Sequence, residues 1–178
     1  TCVGMIFMGM VFGSVQTGTT SLAAEAGRPG LAGLFHALLS VGSAAAGLAL
    51  PRLAHRLDLA ARWRLFAAGL ALFAAPLLLI NHLGALVPVL IILGMAAAPY
   101  MITLYSAAER SASAGRIGTV MTLLAAMNSL GYAFGTALAG RLADWGGATP
   151  AYAVTFGVGV AAILLAVPVA RKVIPPRG

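Results

Sequence analysis

Few side chains in this sequence can take part in chemistry, and those that can lie inside long apolar runs. The polar side chains of these runs include Gln16, Thr17, Thr20, His36, Ser40, Ser43, Tyr100, Thr103, Asn128 and Tyr132. Amides, hydroxyls and an imidazole bind solutes through hydrogen bonds, and an imidazole, with a reference pKa of about 6.5, also carries a proton near neutral pH. This set favours the binding and passage of a small molecule over bond-breaking chemistry.

The main enzymatic alternative is an intramembrane serine protease, and its residues are missing. A serine nucleophile needs a base within hydrogen-bond reach, and that family has Gly-x-Ser-Gly followed by a histidine on its last helix. Ser14 is followed by Val15 where the pattern requires glycine, and no histidine follows His82. The three histidines are also far apart and lack carboxylates at ligand spacing. We therefore predict that the protein is not an enzyme and has no metal site and no cofactor.

The composition indicates a membrane protein. Of the 178 residues, 61% are hydrophobic and 8% are charged, whereas soluble domains are about 25% charged. The formal net charge is +7, but the basic residues form short clusters between apolar runs and no basic face interleaved with aromatics, which argues against nucleic-acid binding. The chain begins at Thr1 inside an apolar run, so we expect it to be a fragment of a longer protein.

Charged residues divide the chain into uncharged stretches that are each long enough to cross a bilayer. A crossing takes about 20 helical residues, so the stretch at 65–108 must fold back as two helices, with its break at Asn81–Gly84. Helices are favoured over a barrel because the runs show no ten-residue alternation. The predicted spans are 1–24, 30–50, 65–80, 85–106, 117–140 and 151–170.

The distribution of basic residues predicts the orientation. One side of the predicted bundle carries Arg52, Arg56, Arg62, Arg64, Arg110, Arg116, Arg171, Lys172 and Arg177, and the other side carries Arg28 and Arg141. Short cytoplasmic loops hold most of the Lys and Arg residues of membrane proteins. We therefore expect a multi-pass protein of the cell membrane, the inner membrane in a bacterium, with a cytoplasmic C-terminus.

An internal repeat relates the two halves of the chain. An offset of 89 residues sets Arg52-Leu53-Ala54 on Arg141-Leu142-Ala143, Gly42 on Gly131 and Ser40 on Ser129. Transporters are often built from repeated helix triplets. Because three spans per unit is an odd number, the two copies would run in opposite directions through the membrane, as an inverted 3+3 repeat of six transmembrane helices.

At this point the chain resembles the C-terminal six-helix half of a major facilitator superfamily transporter. The family's loop signature, Gly-x-x-x-Asp-Arg-x-Gly-Arg-Arg, is degraded after the second span: Arg56 and Arg62 fit, but Pro51 and His55 replace Gly and Asp. The ending at 140–144 is a closer match, and the segment 128–135 is similar to the family's fifth helix of this half. The resemblance implies alternating access and proton-coupled efflux of a small solute, with an N-terminal half of the same transporter as partner.

Polar content divides the spans into two groups. The third span has no hydroxyl, amide or charge and the sixth has only Tyr152 and Thr155, so we expect both to face lipid. The substrate pathway would then be lined by Gln16, Thr17, Thr20, His36, Ser40, Tyr100, Thr103, Asn128 and Tyr132. His36 has two interpretations that stay open, a proton-coupling group and a structural imidazole hydrogen-bonded between helices. A lining without acids favours neutral or weakly polar solutes.

Charged residues at the span ends are candidates for gating. Glu109, beside Arg110, could pair with Arg52 or Arg56 and hold one conformation closed, although such pairs are often exposed and weak. The resemblance adds Arg141 and Asp144, which end the better-matched loop signature. A membrane scaffold or channel subunit without a transport cycle is the alternative function, and a continuous pore would distinguish it from a carrier.

Overall fold

The computed structural model describes residues 1–54 and 57–173, and this part of the chain is all-helical. Its helices are α1 (Cys2–Glu25), α2 (Ala32–Ala54), α3 (Leu59–Ala74), α4 (Leu83–Ser111), α5 (Ile117–Gly146) and α6 (Ala148–Val173). Single 3-10 turns occur at Pro29–Leu31, Ala75–Leu79 and Ala114–Arg116. Six helical segments are long and apolar enough to cross a membrane, the third of them including the 3-10 turn after α3. The predicted all-α membrane fold is therefore confirmed.

Helix α3 begins at Leu59, six residues before the span predicted from hydropathy. Asp58 caps its first turn, and the Asp58 carboxylate accepts a hydrogen bond of 2.6 Å from the backbone N–H of Ala61. A capping side chain satisfies an N–H group that has no partner within the helix. Consequently Arg62 and Arg64 lie in the first two turns of α3 and not in a loop, because a helix continues past the end of its apolar run.

The start of α4 and the end of α5 are likewise set by a capping side chain and by a glycine. The side chain of His82 caps α4, with its Nδ1 accepting a hydrogen bond of 3.2 Å from the backbone N–H of Ala85. Helix α5 continues to Gly146, six residues past its predicted end. It stops at Gly147, whose φ of 78° is readily adopted only by glycine.

The six helices form three pairs that lie side by side. Helices α1 and α4 are the middle pair, because α1 packs against α5 and α6 while α4 packs against α2 and α3. Helices α3 and α6 contact each other on one side of this middle pair. Helices α2 and α5 lie on the other side, and they bury the smallest share of their residues.

Glycines bring α1 and α5 into backbone contact. A Cβ atom at Gly9 would overlap the carbonyl oxygen of Asn128, and one at Gly131 would overlap the carbonyl oxygen of Ile6. Small residues at such positions let helix backbones approach closely, which is a main source of helix association in lipid. Gly9 and Gly131 are therefore packing residues.

The interface between α4 and α2 repeats this arrangement. A Cβ atom at Gly94 would overlap the carbonyl oxygen of Leu39, and one at Gly42 would overlap that of Ile91. Gly94 and Ile91 of α4 lie 85 positions after Gly9 and Ile6 of α1. Gly131 and Asn128 of α5 lie 89 positions after Gly42 and Leu39 of α2. The same pair of contacts thus occurs twice, as expected of two related helix triplets.

Hydroxyl groups join α1 to α6 inside the bundle. The Ser14 and Thr155 hydroxyls are 2.8 Å apart, and the Tyr152 hydroxyl donates to the Thr19 hydroxyl at 3.3 Å. All four residues are buried. The α6 number falls as the α1 number rises, so the two helices run antiparallel.

Candidate solute-binding site

The most polar contact on the α2 and α5 side of the bundle is the one between Gln16 and Tyr132. The Tyr132 phenol donates a hydrogen bond to the Oε1 atom of Gln16. A Cβ atom at Gly13 would overlap the Tyr132 carbonyl oxygen, so the two backbones are close enough for the side chains to meet at the edge of the interface. Tyr132 is 38% exposed, which leaves part of its ring available to a ligand.

Asn128 and Thr136 extend this contact along α5. They lie four residues before and after Tyr132, so the three side chains share one face of the helix. The Oδ1 atom of Asn128 and the hydroxyl of Thr136 are buried and have no hydrogen-bond partner among the described residues. A buried polar atom without a partner costs about 1–3 kcal/mol. Thr136 was not predicted from the sequence, although its spacing from Tyr132 is a usable signal.

Helix α2 contributes a second polar position. The His36 ring is partly buried, and Ser40, one turn later, is exposed and donates a hydrogen bond of 3.2 Å to the His36 carbonyl oxygen. Ser43 instead faces α4 and donates to the Gly94 carbonyl oxygen at 3.1 Å. His36 and Ser40 therefore lie on the less buried side of α2, while Ser43 belongs to the packing interface.

Thr17 and Thr20 hydrogen-bond to their own helix. The Thr17 hydroxyl donates to the Gly13 carbonyl oxygen and the Thr20 hydroxyl donates to the Gln16 carbonyl oxygen, both at 2.9 Å. Such bonds to the preceding turn satisfy the donor of a hydroxyl in a helix. The oxygen of each hydroxyl keeps the capacity to accept a further hydrogen bond.

Tyr100 and Thr103 lie in the interior of the bundle. Both are fully buried, and the Thr103 hydroxyl donates to the Pro99 carbonyl oxygen at 2.7 Å. The Tyr100 hydroxyl points toward Gly4 of α1 and has no hydrogen-bond partner in the described part of the chain. The structure does not bring these two residues together with Gln16 and Tyr132 at the exposed edge.

The predicted gating charges are exposed. Arg52, Glu109 and Arg110 lie at the end of the bundle where α2 and α4 finish, and no ion pair joins Glu109 to Arg52 within the described residues. Arg56 lies outside the described residues. Arg141 and Asp144 are exposed in the last turns of α5. None of the five described charges lies beside the polar residues of the candidate site.

A carboxylate that the sequence analysis did not select joins two helices at the opposite end. The Oε1 atom of Glu25, the last residue of α1, accepts a hydrogen bond of 2.8 Å from the backbone N–H of Ala148, the first residue of α6. It also accepts one of 3.0 Å from the Ser21 hydroxyl. A carboxylate at a helix N-terminus satisfies a free N–H group and interacts favourably with the helix dipole.

The described residues 1–54 and 57–173 offer no cluster of metal ligands to the site. No group of three His, Cys, Asp or Glu side chains there could hold a metal ion. The four acids of the chain, Glu25, Asp58, Glu109 and Asp144, all lie at or near helix ends. The candidate site is therefore a set of uncharged hydrogen-bonding groups with one imidazole, which can bind a solute without a fixed charge.

Comparison with known proteins gives a family for the whole chain. No characterised protein and no solved structure was found to match it. The family profile described as Major Facilitator Superfamily matches residues 1–177, which includes every helix described above. Six candidate spans, paired in a twice-repeated pattern of contacts, agree with that match. The chain belongs to the Major Facilitator Superfamily, whose members move small solutes across membranes, and is a multi-pass membrane protein.

Proposed function

We propose that the protein is a secondary carrier that moves a small, neutral or weakly polar solute by alternating access. The observation that carries this proposal is the Gln16–Tyr132 contact beside the unpaired amide oxygen of Asn128. A binding site needs a few placed polar groups in mostly apolar surroundings. These three side chains meet that description, and they lie where α1 and α5 meet.

The partner of this surface is an N-terminal six-helix half of the same transporter. Helices α2 and α5 are apolar enough to cross a membrane, yet they are the least buried of the six. A second half that covers them would leave a cleft between the halves, lined by His36 and Ser40 of α2 and by Tyr132 of α5. The predominance of basic residues at the end with Arg52 and Arg110 supports a cytoplasmic location for that end and for the C-terminus.

Proton-coupled efflux is the proposed mode of transport, with His36 as the coupling group of this chain. Protonation of an imidazole near its reference pKa of about 6.5 would change its charge and its hydrogen bonding within the cleft. In the His36→Gln variant, the dependence of transport on pH between about 5.5 and 7.5 should disappear. A normal pH profile in this variant would assign the imidazole a structural role.

Gating is proposed at both ends of the bundle. At the basic end, Glu109 would pair with Arg52 or Arg56 in the conformation that is closed there. At the other end, the bond between Glu25 and Ala148 fixes α1 to α6, and Arg141 and Asp144 lie close by in sequence on α5. Closure by such contacts requires that they form in one conformation and break in the other.

Transport by the natural full-length protein in proteoliposomes tests the function. A panel of radiolabelled neutral and weakly polar solutes is applied with an imposed pH gradient. Tyr132→Phe and Gln16→Ala should each reduce transport of the accepted solute by about tenfold, the value of one good hydrogen bond. Thr122→Val, an exposed position of α5 whose hydroxyl bonds only to its own helix at Gly118, is the matched control. Flux that does not saturate with solute concentration would favour a channel and contradict a carrier.

A further inference from the structure

A pocket lies between α2, α3 and α4, away from the candidate solute site. Its volume is about 370 Å³, and it is lined by Gly47, Leu50, Pro51, Arg62 and Ile102. The α2 residues lie in the last two turns of that helix and Arg62 lies in the first turn of α3. The pocket is therefore close to the basic end of the bundle and opens between helices.

Among the described residues that line the pocket, Arg62 is the one that carries a charge, and it is buried. Its side chain is 8% exposed, and its Nε atom has no hydrogen-bond partner in the described structure. The nearest carboxylate on its own helix, Asp58, bonds to the backbone N–H of Ala61. Buried charges in proteins are normally paired and hydrogen-bonded. An anion in the pocket would supply what the described residues do not.

The surroundings of the pocket are basic. Arg52, Arg64, Arg110 and Arg116 are exposed at the same end of the bundle, against the two exposed acids Asp58 and Glu109. This excess of positive charge attracts anions to the mouth of the pocket. Its other walls are apolar, and a small water-soluble anion would gain nothing from them. The combination fits an amphipathic anion.

We propose that this pocket binds the phosphate group of an anionic phospholipid. The Arg62 guanidinium would bind the phosphate oxygens, since its planar donor set matches phosphate geometry. The glycerol and upper acyl carbons would contact Leu50, Pro51 and Ile102. Basic pockets between transmembrane helices at the cytoplasmic surface are suited to anionic lipid head groups. Such a lipid would hold the end of α2 and the second half of α4 to the start of α3.

The test uses the natural full-length protein, purified in a neutral maltoside detergent. Native mass spectrometry and thermal unfolding are followed while dioleoyl phosphatidylglycerol is added, with dioleoyl phosphatidylcholine and inorganic phosphate in parallel. Arg62→Gln removes the charge and retains most of the side-chain length. Arg64→Gln is the matched control, because Arg64 is an exposed residue of the same helix whose Nε bonds to the Ala60 carbonyl oxygen.

We expect one phosphatidylglycerol molecule to bind to the wild-type protein and to raise its unfolding temperature by mass action. Arg62→Gln should weaken this binding at least tenfold, and Arg64→Gln should change it less than twofold. Gly47→Leu is a second variant that leaves the charge in place. A Cβ atom at Gly47 would meet only Ile102, at 3.8 Å, so the larger side chain fills the pocket and should also displace the lipid.

Three results would overturn the proposal. Equal phosphatidylglycerol binding in the wild type, Arg62→Gln and Gly47→Leu would place the lipid elsewhere. Saturation of the site by inorganic phosphate alone, with the same thermal shift, would assign it to a soluble anion. No phosphatidylglycerol binding to the wild-type protein would refute the lipid site. If Arg62→Gln does not fold, Gly47→Leu still decides between these results.

Discussion

Replacing Gly131 with alanine tests one of the closest helix contacts in the bundle. The new methyl group would overlap the carbonyl oxygen of Ile6, whereas real Cβ atoms essentially never come within 3.0 Å of another heavy atom. Helices α1 and α5 would have to separate by on the order of 1 Å, which forfeits part of the dispersion energy along the interface. Overpacking of this kind costs about 1–3 kcal/mol, and a backbone oxygen cannot rotate away as a side chain can.

The matched control is Gly140→Ala on the same helix, where a Cβ atom would meet nothing within 4 Å. Both variants gain the same helix propensity, about 1 kcal/mol, from replacing glycine. The difference between their unfolding free energies is therefore the overpacking term alone. We expect Gly131→Ala to be less stable than Gly140→Ala by about 1–3 kcal/mol, measured by unfolding in mixed micelles of maltoside and dodecyl sulfate with circular dichroism.

Double variants extend the measurement. Gly9→Ala strains the same interface, so once the helices have separated for Gly131→Ala, the second methyl group should cost little and the pair should be less than additive. Gly42→Ala strains the interface between α2 and α4, and with Gly131→Ala it should add within about 0.5 kcal/mol. Equal stability of Gly131→Ala and Gly140→Ala would refute the close approach of α1 and α5.

Two further contacts give stability predictions that the same unfolding assay checks. Glu25→Ala removes the acceptor for the Ala148 N–H and should cost about 1 kcal/mol, whereas Asp144→Ala, which removes an exposed carboxylate, should be neutral; equal losses would contradict the capping role. Thr155→Val breaks the buried hydroxyl pair between α1 and α6 and should cost about 0.6 kcal/mol. Thr20→Val, at an exposed position, is its control, and a larger loss there would contradict the assignment.

The number and type of the helices could be predicted from the sequence because both follow from solvent. Residues in lipid must be apolar and their backbone must be paired internally, so hydropathy and charge mark each span. The helix ends were predicted less accurately, because they do not coincide with the ends of the apolar runs. Asp58 caps the start of α3, and Gly147 ends α5. Charged residues then lie in the terminal turns of a helix, as Arg62 and Arg64 do in the first two turns of α3.

Only the relation between α2 and α5 could be detected in the sequence, and the relation between α1 and α4 could not. An offset of 89 residues aligns α2 with α5, and that offset was detected, but α1 and α4 are related by 85. The interface residues Gly9 and Leu39 are 30 positions apart in the first triplet, whereas their counterparts Gly94 and Asn128 are 34 positions apart in the second. Four residues make about one helical turn, so the contacts are preserved while any single-offset comparison misses them.

The candidate site was predicted in part. Gln16 and Tyr132 were chosen because they are polar groups in lipid, and the structure joins them by a hydrogen bond. Tyr100 and Thr103 were chosen for the same reason but are buried inside the bundle, since polarity does not say which side of a helix meets a neighbour. Thr136 was missed because a threonine next to Gly135 looks like part of a packing seam. Which of these residues bind a solute stays a prediction.

Labelling of introduced cysteines in a membrane tests the central claim, that the α2 and α5 side lines a water-filled pathway while the α3 and α6 side meets lipid. With Cys2 changed to serine, single cysteines are placed at Ser40 and Tyr132 and at Leu72 and Leu164. Leu72 and Leu164 are 68% and 70% exposed, so burial in protein does not protect them. We predict that a membrane-impermeant maleimide labels the cysteines at 40 and 132 and spares those at 72 and 164. Labelling at 72 and 164 with protection at 40 and 132 would contradict the account.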